Sequence, residues 1–307
     1  MLPSSVLMIR PSYFSFNPET AVSNRFQHEI PELDIETVRQ LANEEFDHFV
    51  SLLKAWDIDV WVFDDVPVPL TPDAVFPNNW FSTHDNGWLI TYPMKDKMRR
   101  TERRKDILQA LIFRHEYVLK RDLENLELEE KYLEGTGSLV LDRINKVAYA
   151  AISPRTHPEA LAAWAKLTGC ELLSFHANGP DNSPINHTNA ILSIGDNFAL
   201  VGLETLSATD SQKVTAALEQ GNKRIIALSM EQIYDSFAGN MLALCNPAGE
   251  RLLVMSAAAK RSLTTEQKNI LQYELGLMLI AAPLSIIEEV GGGSARCMLA
   301  EIVVPGG

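Results

Sequence analysis

The chain has 307 residues, 46% of them hydrophobic and 22% charged, the balance of an ordinary folded protein in water. Its formal net charge of −13 argues against nucleic acid as a partner, because phosphate binding needs a basic face. No apolar run approaches the roughly 18 residues of a membrane span, and the opening MLPSSVLMIRPSYF lacks the basic start and small-residue cleavage site of a signal peptide.

Three scattered cysteines, Cys170, Cys245 and Cys297, offer neither a disulfide framework nor a zinc spacing, so a reducing cytoplasm is the expected setting. No P-loop or dinucleotide fingerprint occurs, and neither a cofactor nor a metal is expected.

In chain order, residues 35–56 have helical periodicity and run into an apolar strand within 57–67. FPNNWFSTHDNGWLITY (76–92) then reads as a hairpin around a DNG turn. The basic run KDKMRRTERRK (95–105) leads into helical periodicity over 100–117. It reads as a solvated helix start, with a basic surface for an anionic metabolite as the alternative. LEGTGSLVLDRINKVAYAAI (133–152) is a second hairpin, followed by a helix over 157–169 and a strand over 170–177. INHTNAILSIGDNFALVGL (185–203) repeats the pattern, with a helix over 208–222 and a strand over 223–230. FAGNMLALCNPAGERLLVM (237–255) repeats it again, with a helix over 264–275 and LSIIEEV (284–290) as the strand. SARCMLAEIVV (294–304) opens a fifth hairpin and is cut short.

The hairpins start about 50 to 60 residues apart, a period that signals a propeller or another closed array. The predicted fold is therefore α/β: hairpin–helix–strand units repeated about five times around a pseudo-symmetry axis, with residues 1–307 as one domain. In such an array the loops that open the hairpins converge at one end of the axis. The residues at those junctions are Asn78 and Asn79, Glu134, His187 and Asn189, Asn240, and Cys297. A thiol, an imidazole and a carboxylate meeting there are the parts of nucleophilic catalysis.

At these residues the chain resembles the guanidino-group-modifying (pentein) superfamily of arginine deiminases, dimethylarginine hydrolases and amidinotransferases. PDAVFPNNW resembles the substrate-clamp loop, LEGTGS the carboxylate loop and INHTNA the histidine loop. ISPRTHPE resembles the segment whose arginine holds a substrate α-carboxylate, and GGGSARC the approach to the nucleophile. The resemblance implies a five-bladed α/β propeller. It makes Cys297 the nucleophile, His187 the acid/base, Glu134 a carboxylate on the substrate or on the histidine, and Arg155 the α-carboxylate clamp. An arginine fork suits that last role because it gives two parallel bonds to a carboxylate. Gly291 to Gly293 can take positive φ and aim Cys297 inward. A thiol of ordinary pKa, about 8.5, must ionise to attack, and His187 is the expected ion-pair partner.

Where deiminases of this superfamily carry two acids, at the end of the clamp loop and two places after the histidine, this chain has Asn79 and Asn189, and Asn78 is also an amide. A guanidinium has only donors and a charge, and losing one partner of a buried pair costs about 3–5 kcal/mol. A neutral ureido group offers NH donors and a carbonyl that an amide can match. Facing two carboxylates instead, that carbonyl would cost about 1–3 kcal/mol. Asp73 upstream stands either for a substrate contact or for a turn.

The expected partner is thus a small ureido amino acid, most simply L-citrulline, and the chain is similar to the citrulline-utilising hydrolase (citrulline ureidase) branch. Membranes and nucleic acids are not expected as partners, and self-association is left open. The alternatives are an arginine deiminase-like or methylarginine hydrolase and, in another class, a non-catalytic pentein such as the ribosome anti-association factor. The segment MIRPSYFSFNPETAVSNRFQ reads either as a wall or lid of the pocket or as a surface loop.

Overall fold

Turn chemistry and strand alternation produce five three-stranded sheets in a computed structural model that describes residues 2–306. Every sheet has one plan: an antiparallel hairpin whose second strand also pairs, in parallel, with a third strand reached through a helix. In the second blade these strands are β3 (Phe81–Thr83), β4 (Trp88–Thr91) and β5 (Val118–Lys120). The third blade has β6 (Val140–Asp142), β7 (Val147–Ala151) and β8 (Glu171–Phe175). The fourth has β9 (Leu192–Ile194), β10 (Phe198–Val201) and β11 (Arg224–Ala227). The fifth has β12 (Leu242–Cys245), β13 (Arg251–Ser256) and β14 (Met278–Ala282).

The first blade is assembled from both ends of the sequence. β1 (Ser5–Arg10) pairs in parallel with β2 (Asp59–Asp64), and β15 (Ala300–Glu301) completes its hairpin with Val6 opposite Glu301. The hairpin that is cut short in sequence is therefore finished by β1, and the ring closes. Neighbouring blades meet through their first strands, β15 with β3, β6 with β9 and β9 with β12. Side chain–backbone hydrogen bonds seal these seams: Thr83 Oγ1 to the Glu301 carbonyl (2.7 Å), Thr188 Oγ1 to the Ser138 carbonyl (2.6 Å) and Ser193 Oγ to the Met241 carbonyl (2.9 Å).

The helices cover the sheets from outside. Helix Ile35–Ala55 is capped by Asp34, which accepts from the Thr37 amide at 2.8 Å. It buries Val38, Ala42, Phe46, Phe49, Val50 and Leu53, one stripe at helical spacing, in a cluster with Val6, Met8 and Ile280. Among the described residues no helix is long and apolar enough to cross a membrane.

Two sequence expectations change here. Residues 284–290 are not a strand: Ser285–Gly291 is a helix, and the strand is β14, just before Pro283. The helix has no capping side chain of its own. Glu45, from the helix of the first blade, supplies the cap by accepting from the amides of Ile286 (2.9 Å) and Ile287 (3.0 Å). The basic run 95–105 is not a solvated helix start either. Lys97–Arg100 is one short helical turn, the next helix begins only at Lys105, and between them and beside them Asp96, Arg99 and Glu102 are buried.

A buried hydrogen-bonded chain joins the second and third blades: His84 Nε2 to Ser82 Oγ (2.8 Å), Ser82 Oγ to Tyr92 OH (2.7 Å) and Trp164 Nε1 donating to Tyr92 OH (3.0 Å). Burial, with Arg143 nearby, pushes the pKa of His84 down from 6.5 to about 3. Between those values the unfolded chain takes up a proton that the folded protein refuses, so stability falls as pH drops from 6.5 toward 3. The slope from this residue is about 1.4 kcal/mol per pH unit. Urea denaturation at stepped pH should show it, and His84→Gln should flatten it. An equal slope in the variant would remove His84 as the cause.

Candidate active site

Four of the five loop-to-strand junctions bring side chains to one pocket at the end of the axis, and that of the third blade places Glu134 directly behind it. Asn79 ends the turn Pro77–Asn79 before β3, Asn189 lies in the turn Thr188–Ala190 before β9, Asn240 precedes β12 and Cys297 precedes β15. The pocket is lined by Asp73, Asn79, Arg99, Arg155, His187, Asn189, Asn240 and Cys297. Thr20, Ser23, Asn24, Arg25 and Phe26 form a wall, so the N-terminal segment is part of the pocket. The predicted Asn78 is not in it. Its side chain is fully buried without a hydrogen-bond partner, and its carbonyl accepts from Thr136 Oγ1 at 3.3 Å.

Glu134 is completely buried. Its Oε2 lies 2.8 Å from His187 Nε2 and 3.2 Å from Arg155 Nη1, and its Oε1 accepts from the Lys95 amide at 3.0 Å. Burial alone would raise its pKa. Arg155, His187 and Arg99 together outweigh that and hold the carboxyl well below the usual carboxylate range. Of the two contacts expected of Glu134, the one to the histidine is present in the structure. Burial pushes the pKa of His187 down even against the pull of Glu134, which favours the neutral ring. A carboxylate only accepts, so Nε2 carries the hydrogen and Nδ1 is left as the basic nitrogen.

The sulfur of Cys297 is not bonded to His187. Its partners are amides: Asn240 Nδ2 at 3.2 Å and Asn189 Nδ2 at 3.6 Å. The expected histidine–thiolate pair is therefore replaced by neutral donors. The glycines before the cysteine act in two ways. Gly292 has a φ of +64°, whereas a Cβ on Gly291 or Gly293 would meet the Phe76 ring at 2.8 Å.

Arg155 lines the pocket with its guanidinium partly spoken for. Nη1 is held by Asp96 (2.7 Å) and Glu134, and Nη2 donates to Ser23 Oγ at 2.9 Å. Its Nε–H meets no acceptor among the described residues. Asp73 accepts through Oδ2 from Asn17 Nδ2 (2.7 Å) and Thr20 Oγ1 (3.1 Å), while its buried Oδ1 has no partner.

Arg99 escapes a reading of the sequence because it sits in a run of charges. It is gripped by Glu102 at 2.9 and 3.0 Å, and its Nη1 donates to Asn79 Oδ1 at 2.7 Å. Its one signal is the i,i+3 Arg–Glu spacing, which exposed helices share. Among the described residues, no group of three or more His, Cys, Asp and Glu is placed to hold a metal ion.

A family model described as "N,N dimethylarginine dimethylhydrolase, eukaryotic" matches residues 10–304. The chain belongs to that family. It is accordingly a pentein and a hydrolase acting on non-peptide C–N bonds of the guanidino amino-acid type. No curated protein sequence is significantly similar to it.

Among solved structures, the N-terminal domain of ArgZ, a cyanobacterial arginine dihydrolase, is similar in a form covalently bound to a reaction intermediate. Identity is 16% with 98% of each chain covered, at a TM-score of 0.75. A variant of AgrE in complex with L-arginine is 18% identical over 98% of this chain and 40% of its own, also at 0.75. A dimethylarginine dimethylaminohydrolase in adduct with 4-chloro-2-hydroxymethylpyridine is 15% identical over 98% and 100%, at 0.64. At such identities these likenesses establish the five-bladed fold.

Glu134→Gln keeps the shape at the centre of this network and removes its charge. Stability should fall by about 3–5 kcal/mol in urea denaturation, because Arg155 loses a buried counter-charge. Turnover should fall about a hundredfold or more, because the orientation of His187 is lost. A fully active, equally stable variant would contradict this account.

Proposed function

We propose that the protein hydrolyses a ureido amino acid, L-citrulline, to ornithine, ammonia and carbon dioxide, with residues 1–307 acting as one catalytic unit. The supporting observation is the orientation of Asn79. Because Arg99 donates to its Oδ1, its Nδ2 is fixed as a donor, buried and without an acceptor. A ureido oxygen would satisfy that donor, whereas a guanidinium brings only further donors. Asp73 Oδ1, the unpaired acceptor of the same pocket, suits an NH of the ureido group. The Nε–H of Arg155, which lines the pocket, suits the α-carboxylate.

In this reading Nδ1 of His187 takes the thiol proton, and Cys297 Sγ attacks the ureido carbon. The tetrahedral adduct collapses with cleavage of a C–N bond, and the imidazolium returns its proton to the departing nitrogen. Water, deprotonated by the same imidazole, cleaves the remaining thioester. The carbamate so released loses carbon dioxide to leave the second amine. One water is consumed per citrulline overall.

A second reading, hydrolysis of arginine or a methylarginine, is favoured by Asp73. A buried carboxylate with one free oxygen beside the pocket is also a counter-charge for a guanidinium. The family match and the arginine-bound neighbour lean the same way.

The test is ornithine and ammonia release from L-citrulline, with L-arginine and methylarginines in parallel and Cys297→Ala as control. Cysteine-dependent ornithine from citrulline and nothing from arginine is the expected result. Citrulline accumulating from arginine would overturn the substrate assignment, and activity in Cys297→Ala would overturn the nucleophile.

A further inference from the structure

Two amides donate to Cys297 Sγ, and the closer, Asn240, has its amide turned one way by the backbone around it. Asn240 Oδ1 accepts from the amides of Arg296 (2.9 Å) and Cys297 (3.3 Å). That leaves Nδ2 to face inward, where its two hydrogens go to the Asn189 carbonyl (3.0 Å) and to Sγ (3.2 Å). The neighbouring Gly239 makes the placement possible. A Cβ there would lie 2.2 Å from the Ala190 carbonyl oxygen and 2.7 Å from Ile191 Cα, so only glycine lets this loop press against the 188–190 turn. Asn240 is 1% exposed and has no surface role to explain it.

We propose that Asn240 is a catalytic residue of the reaction above, the principal hydrogen-bond donor to the sulfur of Cys297 in its anionic form. The inference rests on Cys297 being the nucleophile. A neutral substrate brings no positive charge to the thiolate, and no hydrogen bond joins the sulfur to His187, whose Nε2 is held by Glu134. Beside the imidazolium that proton transfer creates, the hydrogen bonds to the sulfur come from two amides, with Asn240 the nearer and the better fixed. A hydrogen bond to an ionised partner is about twice as strong as one to a neutral group, so the bond tightens as the proton leaves. When sulfur becomes the leaving group of thioester hydrolysis, the same donor stabilises its returning charge.

The experiment measures the pH dependence of iodoacetamide alkylation at Cys297, read by mass spectrometry, beside kcat and KM for citrulline. Asn240→Ala removes donor and acceptor without adding charge. Asn240→Asp keeps the acceptor for the two backbone amides and loses the donor. Both should move the alkylation midpoint up by about one to two pH units. Both should lower kcat about 10- to 100-fold at neutral pH with little change in KM, and the deficit should narrow as pH rises.

A shift confined to Asn240→Asp would be the effect of added charge, and one confined to Asn240→Ala the effect of a loosened turn. Either result, or no shift in either, overturns the donor role. Thermal unfolding verifies each fold, and Asn240→Leu supplies the uncharged arm if the alanine variant does not fold. Failure of the nucleophile assignment is read separately: Cys297→Ala would stay active, or the fast-alkylating thiol would be Cys170 or Cys245.

Discussion

The buried carboxylate of Glu134 is the constraint around which the pocket is arranged. An ion with no exposure to water persists only if its lone pairs are filled and its charge opposed. Here Arg155 opposes the charge while His187 and the Lys95 amide fill the oxygens. Those partners come from the second, third and fourth blades, so satisfying one carboxylate fixes three blades against each other. The same demand sets the chemistry. With Glu134 ionised, the imidazole must present its hydrogen at Nε2, which leaves the opposite nitrogen of the neutral ring as an acceptor.

Around that anchor the five junctions work as equivalent positions given different residues. Two or three places before the first strand of each blade stand Asn79, Gly137, Asn189, Asn240 and Cys297. Four carry a polar or reactive side chain. The fifth has none, because a Cβ on Gly137 would come within 2.3 Å of Asn79 Nδ2 and 3.2 Å of the His187 ring. Pseudo-symmetry thus supplies the frame, and the departures from it distinguish the blades: one thiol, one vacancy that admits a histidine, and three amides, two of them oriented by their neighbours. Arg99 turns Asn79 into a donor, and two backbone amides do the same for Asn240.

The repeat is legible in the sequence because hairpin turns and alternating apolar residues are local signals. HDNG, GDN and NPAG mark their turns without help from the rest of the chain, and SARCMLAEIVV shows that one blade is incomplete. What stays hidden depends on distant partners. Ser285–Gly291 looks like a strand because its cap comes from Glu45, some 240 residues away. Arg99 and Glu102 look solvated because their string is hydrophilic, yet each cancels the other's charge and the pair is buried whole. The set Cys297, His187, Asn189, Asn79 and Asn240 is visible at the junctions, and Arg155 only through the family resemblance. Their bonding is not, since nothing in the spacing shows that the sulfur would face amides and the imidazole a carboxylate. Asn78 illustrates the converse, because adjacent asparagines in a turn point in different directions and only one reaches the pocket.

The pairing of β15 with β1 has a consequence in time as well as in space. Val6 lies opposite Glu301, so the first strand of the ring waits for the last while the other four blades are made. The cysteine is attached to that last strand. A chain emerging from the ribosome can therefore form most of its sheets, and even the ion pairs of Glu134, before Cys297 is present. The thiol of Cys297 joins the pocket only with the strand that locks the ring, so the pocket is completed last of all.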